Sequence, residues 1–199
     1  MTAPPDIILA AACGAAYLVG SIPTGLLLGK AYGIDVRQEG SGNIGATNLY
    51  RTLGRRVGVL TLIGDCLKGL APVLAARYLA PSTDLAAWVG LAVFCGNVFS
   101  VFLKFKGGKG GATALGVFLA LSPLAVAIAL AVFLVLVLKW RYVSLGTVAA
   151  AAVMPFAVYV LRGSRAMLLV TALVAVIMII RHYANIKRLV DGTENKFKA

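Results

Sequence analysis

Three polar stretches interrupt an otherwise oily chain, and each is built from residue types that hold oxyanions. The first, GSGNIGATNLYR, runs from Gly40 to Arg51. Glycines such as Gly42 can take positive φ and bare their amides, while Ser41, Asn43, Thr47 and Asn48 offer neutral hydrogen-bonding groups and Arg51 a fixed cation. A solvated turn with Asn and Ser at helix caps would explain the polar residues, but not the arginine beside them. The second, FKGGKGGAT from Phe105 to Thr113, follows Lys104 and sets Gly107, Gly108 and Gly110 around Lys109 before an apolar run that reads as a helix. N–H groups at a helix N-terminus attract phosphate; a flexible basic linker at the membrane face is the plainer alternative. Gly110 stands where a Walker A loop needs Ser or Thr to hold magnesium, which disfavours nucleotide hydrolysis. The third stretch, RHYANIKRL, carries the chain's one histidine, His182, three residues before Asn185. The two share a face if the last span continues past the membrane, and a histidine that merely ends a span is the alternative.

Asp65 and Lys68, in GDCLKG, lie within an apolar run and three residues apart, so on one helix face. Ionisable groups there are costly unless paired or functional. A mutual ion pair is the modest reading, and an extra cation for an anionic ligand the sharper one. Paired carboxylates, Cys/His ligand clusters and a Ser-His-Asp spacing are absent, so no metal and no cofactor is expected. Asp35, Glu39, Asp191 and Glu194 are scattered in polar loops, where solvation or a salt bridge is the default. What remains is built to bind phosphate at a membrane surface, as an enzyme of lipid phosphates or as a transporter of organic phosphates.

The elements that must position these residues are membrane helices. Of 199 residues 60% are hydrophobic and 13% charged, with a mean hydropathy of +0.92, which leaves too little polar surface for a soluble domain. The net charge of +12 therefore points to anionic lipids and substrates and not to nucleic acid. Cys13, Cys66 and Cys95 lie in or beside apolar runs, where a thiol behaves as a small hydrophobe. The N-terminal run lacks the basic n-region of a secretory signal and reads as a retained span. A single integral membrane domain over 1–199 is expected, and no oligomeric state follows from its sequence.

Apolar runs cover Ile7 to Leu28, Val57 to Leu79, Leu85 to Leu103, Ala112 to Leu138, Val143 to Leu161 and Ala166 to Ile180, with a short turn at Pro81. Short basic loops stay in the cytoplasm. The first loop holds Lys30, Arg37, Arg51, Arg55 and Arg56, the second Lys104, Lys106 and Lys109, and the tail Arg181, Lys187, Arg188, Lys196 and Lys198. All three belong inside, which requires the run Ala112 to Leu138 to return to its own side. Ser122-Pro123 can break it, and a continuous helix there would be roughly 40 Å long against a hydrocarbon core of ~30 Å. The expected architecture is thus an all-α polytopic membrane protein with seven helical segments, five crossings plus a re-entrant helical hairpin, N-terminus out and C-terminus in. A single tilted, kinked crossing of that run is the alternative.

Taken in order, GSIPTG, GSGNIGATN, GDCLKG, FKGGKG and RHYANIKRL closely resemble the motifs of the acyl-phosphate:glycerol-3-phosphate acyltransferase family of bacterial membranes, over about Gly20 to Glu194. The resemblance implies transfer of a fatty acyl group from acyl phosphate to the 1-hydroxyl of glycerol 3-phosphate, giving lysophosphatidic acid at the cytoplasmic face of the inner membrane, without coenzyme A. It implies that Ser41 and Arg51 are active-site contacts, that Gly107 to Gly110 with Lys109 hold glycerol 3-phosphate, and that His182 and Asn185 serve catalysis, with Glu194 structural. Lys68, Lys104 and Asn97 join the candidate binding set. The chain departs from the family where Gly-His is usual, reading Gly96-Asn97, and carries Ser100 where proline is common. Asn97 can still donate and accept a hydrogen bond, but proton transfer there is not expected. A transporter of glycerol phosphate is the competing class.

Overall fold

The computed structural model describes residues 5–79 and 83–197, and the regular structure there is helical throughout. The expected turn at Pro81 lies outside the described residues. The chain forms two compact units, Met1–Leu121 and Ser122–Ala199.

In the first unit, α1 (Pro5–Ser21) and α2 (Thr24–Ala31) make one apolar stretch, Ile7–Ala31, long enough to cross a bilayer but broken before Pro23. Proline brings no N–H and its ring collides with the preceding turn, so the break strands carbonyls that a continuous helix would have used. Side chains from distant segments take them. The Ser100 hydroxyl donates to the Ser21 carbonyl at 2.6 Å and the Lys68 ammonium to the Ile22 carbonyl at 2.8 Å.

The short helix α3 (Ala46–Leu53) lies against α4 (Arg55–Leu79), which also packs on α5 (Thr83–Val98) and α6 (Gly111–Leu121), while α1 packs on α5. Lipid tails are as apolar as leucine, so such helices associate through close backbone approach. A Cβ on Gly69 would stand 2.2 Å from the Thr113 carbonyl oxygen and one on Gly116 1.9 Å from that of Cys66, which puts the α4 and α6 backbones in contact. Val73, Val89, Val93 and Val117 form the core between α4, α5 and α6. A second cluster of Leu26, Val36, Ile44, Leu49 and Val57 underlies the first polar loop.

The second unit contains α7 (Pro123–Trp140), α8 (Val143–Val160), α9 (Arg165–Arg181) and α10 (Tyr183–Val190), with α8 packed on both α7 and α9. Ser164 caps α9 by accepting the Met167 N–H at 3.2 Å. The break at Ser122-Pro123 falls where the sequence places it, with Pro123 the first residue of α7. The eleven residues of α6 reach only about half of the hydrocarbon core, whereas the 18 of α7 are long and apolar enough to span it alone. The second arm of the expected hairpin is therefore a full-length helix.

Among the described residues five stretches are long and apolar enough to span, joined by the bent pair α9 and α10 and by the short α6, which makes the seven helical segments expected. Leu60, Ile63, Leu67 and Leu74 on α4 and Leu134, Val135 and Leu138 on α7 are exposed, as lipid-facing side chains are in an all-α polytopic membrane protein.

Candidate active site

Asn48, in the first turn of α3, organises the first polar loop. Its side-chain amide donates to the carbonyls of Val36, Glu39 and Asn43 at 3.1, 3.0 and 2.9 Å, and its Oδ1 accepts the Ser41 N–H at 2.8 Å. Only 2% exposed, the Asn48 carboxamide is spent on the loop itself. That revises its expected place among substrate contacts, because both of its donor hydrogens and its carbonyl are already engaged. Gly40, at φ +57°, lies so close that a Cβ would meet Asn48 Oδ1 at 2.3 Å. Asn43 Oδ1 accepts the Gly45 N–H at 2.8 Å, closing a turn just before α3. Ser41, Gly42 and Arg51 are exposed on the outside of this framework, and Asn43 and Thr47 are half-buried. The loop is thus a rigid rim that presents a hydroxyl and a guanidinium.

The glycine loop is stitched to the end of α5. The Gly107 N–H donates to the Val98 carbonyl at 3.1 Å and the Gly108 N–H to that of Asn97 at 3.0 Å. Those two amides, expected to face phosphate, are consumed in holding the loop. The N–H groups left to an anion are those of the first turn of α6, which begins at Gly111 and has no preceding turn to donate to. Gly110, at φ +83°, sits where a Cβ would meet the Phe94 ring at 2.2 Å, so only glycine permits this approach. Asn97 is buried, its side-chain amide nitrogen 3.4 Å from where a Cβ on Gly108 would stand. Lys109 is half-buried on this loop. Lys104 lines a recess with Arg37, Phe102, Leu103 and Lys106.

Lys68 and Asp65 are paired at 2.7 Å, with side chains 7% and 9% exposed. Together with the bond from Lys68 to Ile22, this realises the ion-pair reading and adds a target that the sequence did not reveal, the Ile22 carbonyl at the helix break before Pro23, which also accepts the Thr24 N–H at 3.0 Å. The signal was present in a proline two residues after Ser21, inside an apolar run.

In the second unit the last span does not run on. It stops at Arg181, and α10 departs at 57° with His182 between the two helices. His182 and Asn185 are both buried. His182 Nδ1 lies 2.8 Å from the Met178 carbonyl; a carbonyl only accepts, so Nδ1 carries a proton and donates it. Asn185 donates to Glu194 Oε1 at 2.7 Å, Ser144 to the same oxygen at 2.8 Å, and Arg188 Nε to Oε2 at 2.7 Å. Burial raises the Glu194 carboxyl, but the hydrogen bonds from Asn185, Ser144 and Arg188 outweigh it and hold the group below its ordinary range. Ser144 escaped the sequence reading, since a lone serine at the start of an apolar run carries no motif.

The Glycerol-3-phosphate acyltransferase family model matches residues 10–192. The chain belongs to the glycerol-3-phosphate acyltransferase family. A glycerol-3-phosphate acyltransferase of Trichlorobacter lovleyi is 68% identical over 184 residues, covering 92% of this chain and 95% of that one. Among solved structures, the integral membrane glycerol 3-phosphate acyltransferase PlsY in its glycerol 3-phosphate form superposes with a TM-score of 0.92 at 39% identity, covering 96% of each chain. Its lysophosphatidic acid form gives 0.89 at 38%, covering 96% of this chain and 95% of that one. The glycerol-3-phosphate acyltransferase match spans both polar loops of the first unit and the His182 and Asn185 stretch of the second. The protein is accordingly a multi-pass membrane acyltransferase.

Proposed function

We propose that this chain transfers a fatty acyl group from acyl phosphate to the 1-hydroxyl of glycerol 3-phosphate, forming lysophosphatidic acid and phosphate at the inner face of the bacterial cytoplasmic membrane. The observation that carries the reading is the near-complete match to an enzyme solved both with glycerol 3-phosphate and with lysophosphatidic acid. Those two ligands differ by one acyl ester, so together they define a transfer to a hydroxyl. The acyl-phosphate donor rests on the resemblance of the ordered motifs to the acyl-phosphate-dependent family, and the loops offer a second set of anion-holding groups beside apolar helices to receive it.

In this reading Ser41 and Arg51 on the rim hold the phosphate of the acyl phosphate, whose tail lies in the bilayer. Lys109 and the first amides of α6 hold glycerol 3-phosphate. The substrate hydroxyl attacks the acyl carbonyl, a C–O bond forms, and the tetrahedral oxyanion collapses with cleavage of the bond to the phosphate oxygen. Phosphate leaves with that electron pair and takes the hydroxyl proton. Assistance by the substrate accounts for the absence of a nucleophile and base dyad from the sequence, and positioning with electrostatic stabilisation supplies the acceleration. For His182 and Asn185 the proposal rests on their motif: they act in the acyl-transfer chemistry, with Glu194 fixing the Asn185 carboxamide.

The cytoplasmic placement rests on the basic residues of the two loops and the tail. The test is detergent-solubilised protein supplied with acyl phosphate and radiolabelled glycerol 3-phosphate. Lysophosphatidic acid should form without a sealed membrane. Label that accumulates only inside vesicles, with no ester formed, would make the protein a carrier instead.

A further inference from the structure

A recess of about 370 Å³ lies at the end of the third span, lined by Arg37, Phe102, Leu103, Lys104 and Lys106. Its walls are set by an unusual turn. The Ser100 carbonyl accepts the N–H groups of Leu103 and Phe105 at 3.1 and 2.8 Å, and Lys104 and Phe105 both adopt left-handed backbone at φ +51° and +62°. Two consecutive non-glycine residues in that region are costly and persist only where the surroundings hold them. Here the hold includes the Ser100 hydroxyl on the Ser21 carbonyl. The N–H groups of residues 103 to 108 all donate within the turn or to the end of α5, so a ligand in the recess must be gripped by side chains.

Those side chains are of two kinds. Arg37, Lys104 and Lys106 are cations, and among the described residues only Arg37 is offset by an ion pair, with Asp35 at 2.5 Å. The Asp35 carboxyl is held down to about 2 by hydrogen bonds from Arg37, so the offset is constant and the recess keeps a surplus of two positive charges. Phe102, 60% exposed, and Leu103 supply an apolar wall that continues onto the exposed Val101 and Phe105. A recess of this size holds a head group and not an acyl chain. Cations beside exposed aromatics at the end of a span match an amphiphile that is anionic at one end and apolar at the other.

We propose that this recess binds the phosphate head group of an anionic phospholipid of the surrounding bilayer, with its acyl chains lying over Phe102 and Leu103. The site is separate in its residues from those assigned to acyl transfer, apart from Lys104, which the structure places on the recess and which takes no part in the reaction proposed above. Retention of phosphatidylglycerol and of phosphatidylcholine by the purified, detergent-solubilised protein, read by native mass spectrometry, tests it. Wild type should retain phosphatidylglycerol about tenfold over phosphatidylcholine. R37Q/K106Q should bring the ratio close to one, K106Q alone part of the way, and K106R should leave it unchanged. Acyl transfer at saturating substrate should persist in all three, which shows that they fold. Equal retention of the two lipids by wild type, or a preference that survives in an active R37Q/K106Q protein, would overturn the proposal. So would displacement of phosphatidylglycerol by millimolar inorganic phosphate, which would mark a site for soluble anions.

Discussion

Lys68 offers the sharpest separation between a structural and a ligand-binding cation. Its ammonium bridges Asp65 at 2.7 Å and the Ile22 carbonyl at 2.8 Å, and both side chains of the pair are less than a tenth exposed. Apart from Lys68, Asp65 Oδ1 has no hydrogen-bond partner among the described residues, so without that ammonium it becomes an uncompensated buried charge. Breaking a buried pair in this way costs about 3–5 kcal/mol, whereas the Ile22 carbonyl keeps the Thr24 N–H at 3.0 Å and is not orphaned. About 3–5 kcal/mol is therefore the expected loss for Lys68→Met. At ~2–4 °C per kcal/mol for a chain of this size, that lowers Tm by roughly 6–20 °C. Thermal unfolding in a mild detergent, followed by the rise in reactivity of the half-buried cysteines, reads the shift directly. The double variant D65N/K68M removes both charges and should recover at least half of it. Because the ammonium is occupied inside the protein, the double variant should also keep the wild-type KM for glycerol 3-phosphate. A single variant that melts with wild type, or a double variant no better than the single, would refute the lock. A raised KM in a folded double variant would return Lys68 to the substrate.

The Asn48 framework predicts an inverted order of severity: Asn48→Asp should damage activity more than Asn48→Ala, since it turns an acceptor charge toward three carbonyls, and equal kcat/KM for the two would contradict the hydrogen-bond assignment. Lys109→Ala should raise the KM for glycerol 3-phosphate about 10- to 100-fold by loss of a charge-assisted contact, which initial-rate kinetics will show. Glu194 has a depressed folded value, so its contribution to stability is complete above the ordinary 4.5 and is lost as pH falls through the lower folded value. Tm measured against pH should therefore decline in that acid window in wild type, and E194Q should flatten the decline while lowering Tm at neutral pH.

Much of the architecture was legible because a bilayer is a severe solvent. Uninterrupted apolar runs marked the helices, and Pro123 marked one main break, whereas the break at Pro23 lies inside a run that reads as a single span. Loop motifs announced phosphate because glycine, lysine and arginine have few other reasons to gather there. What stayed hidden was how individual polar atoms are allocated. Asn48 looks like a ligand contact and proves to be the fastener of its own loop, and the Gly107 and Gly108 amides look bare and prove to be bonded to the end of α5. The helix expected to carry His182 and Asn185 past the membrane bends at His182. Each is a tertiary choice between several acceptors, and residue type alone does not make it.

The most direct measurement on the central claim is stoichiometric. Purified protein in detergent, given acyl phosphate and glycerol 3-phosphate with no coenzyme A present, should release one inorganic phosphate for every lysophosphatidic acid formed, and neither without both substrates. Phosphate released at the same rate when glycerol 3-phosphate is omitted, or no ester at any substrate level, would contradict the account.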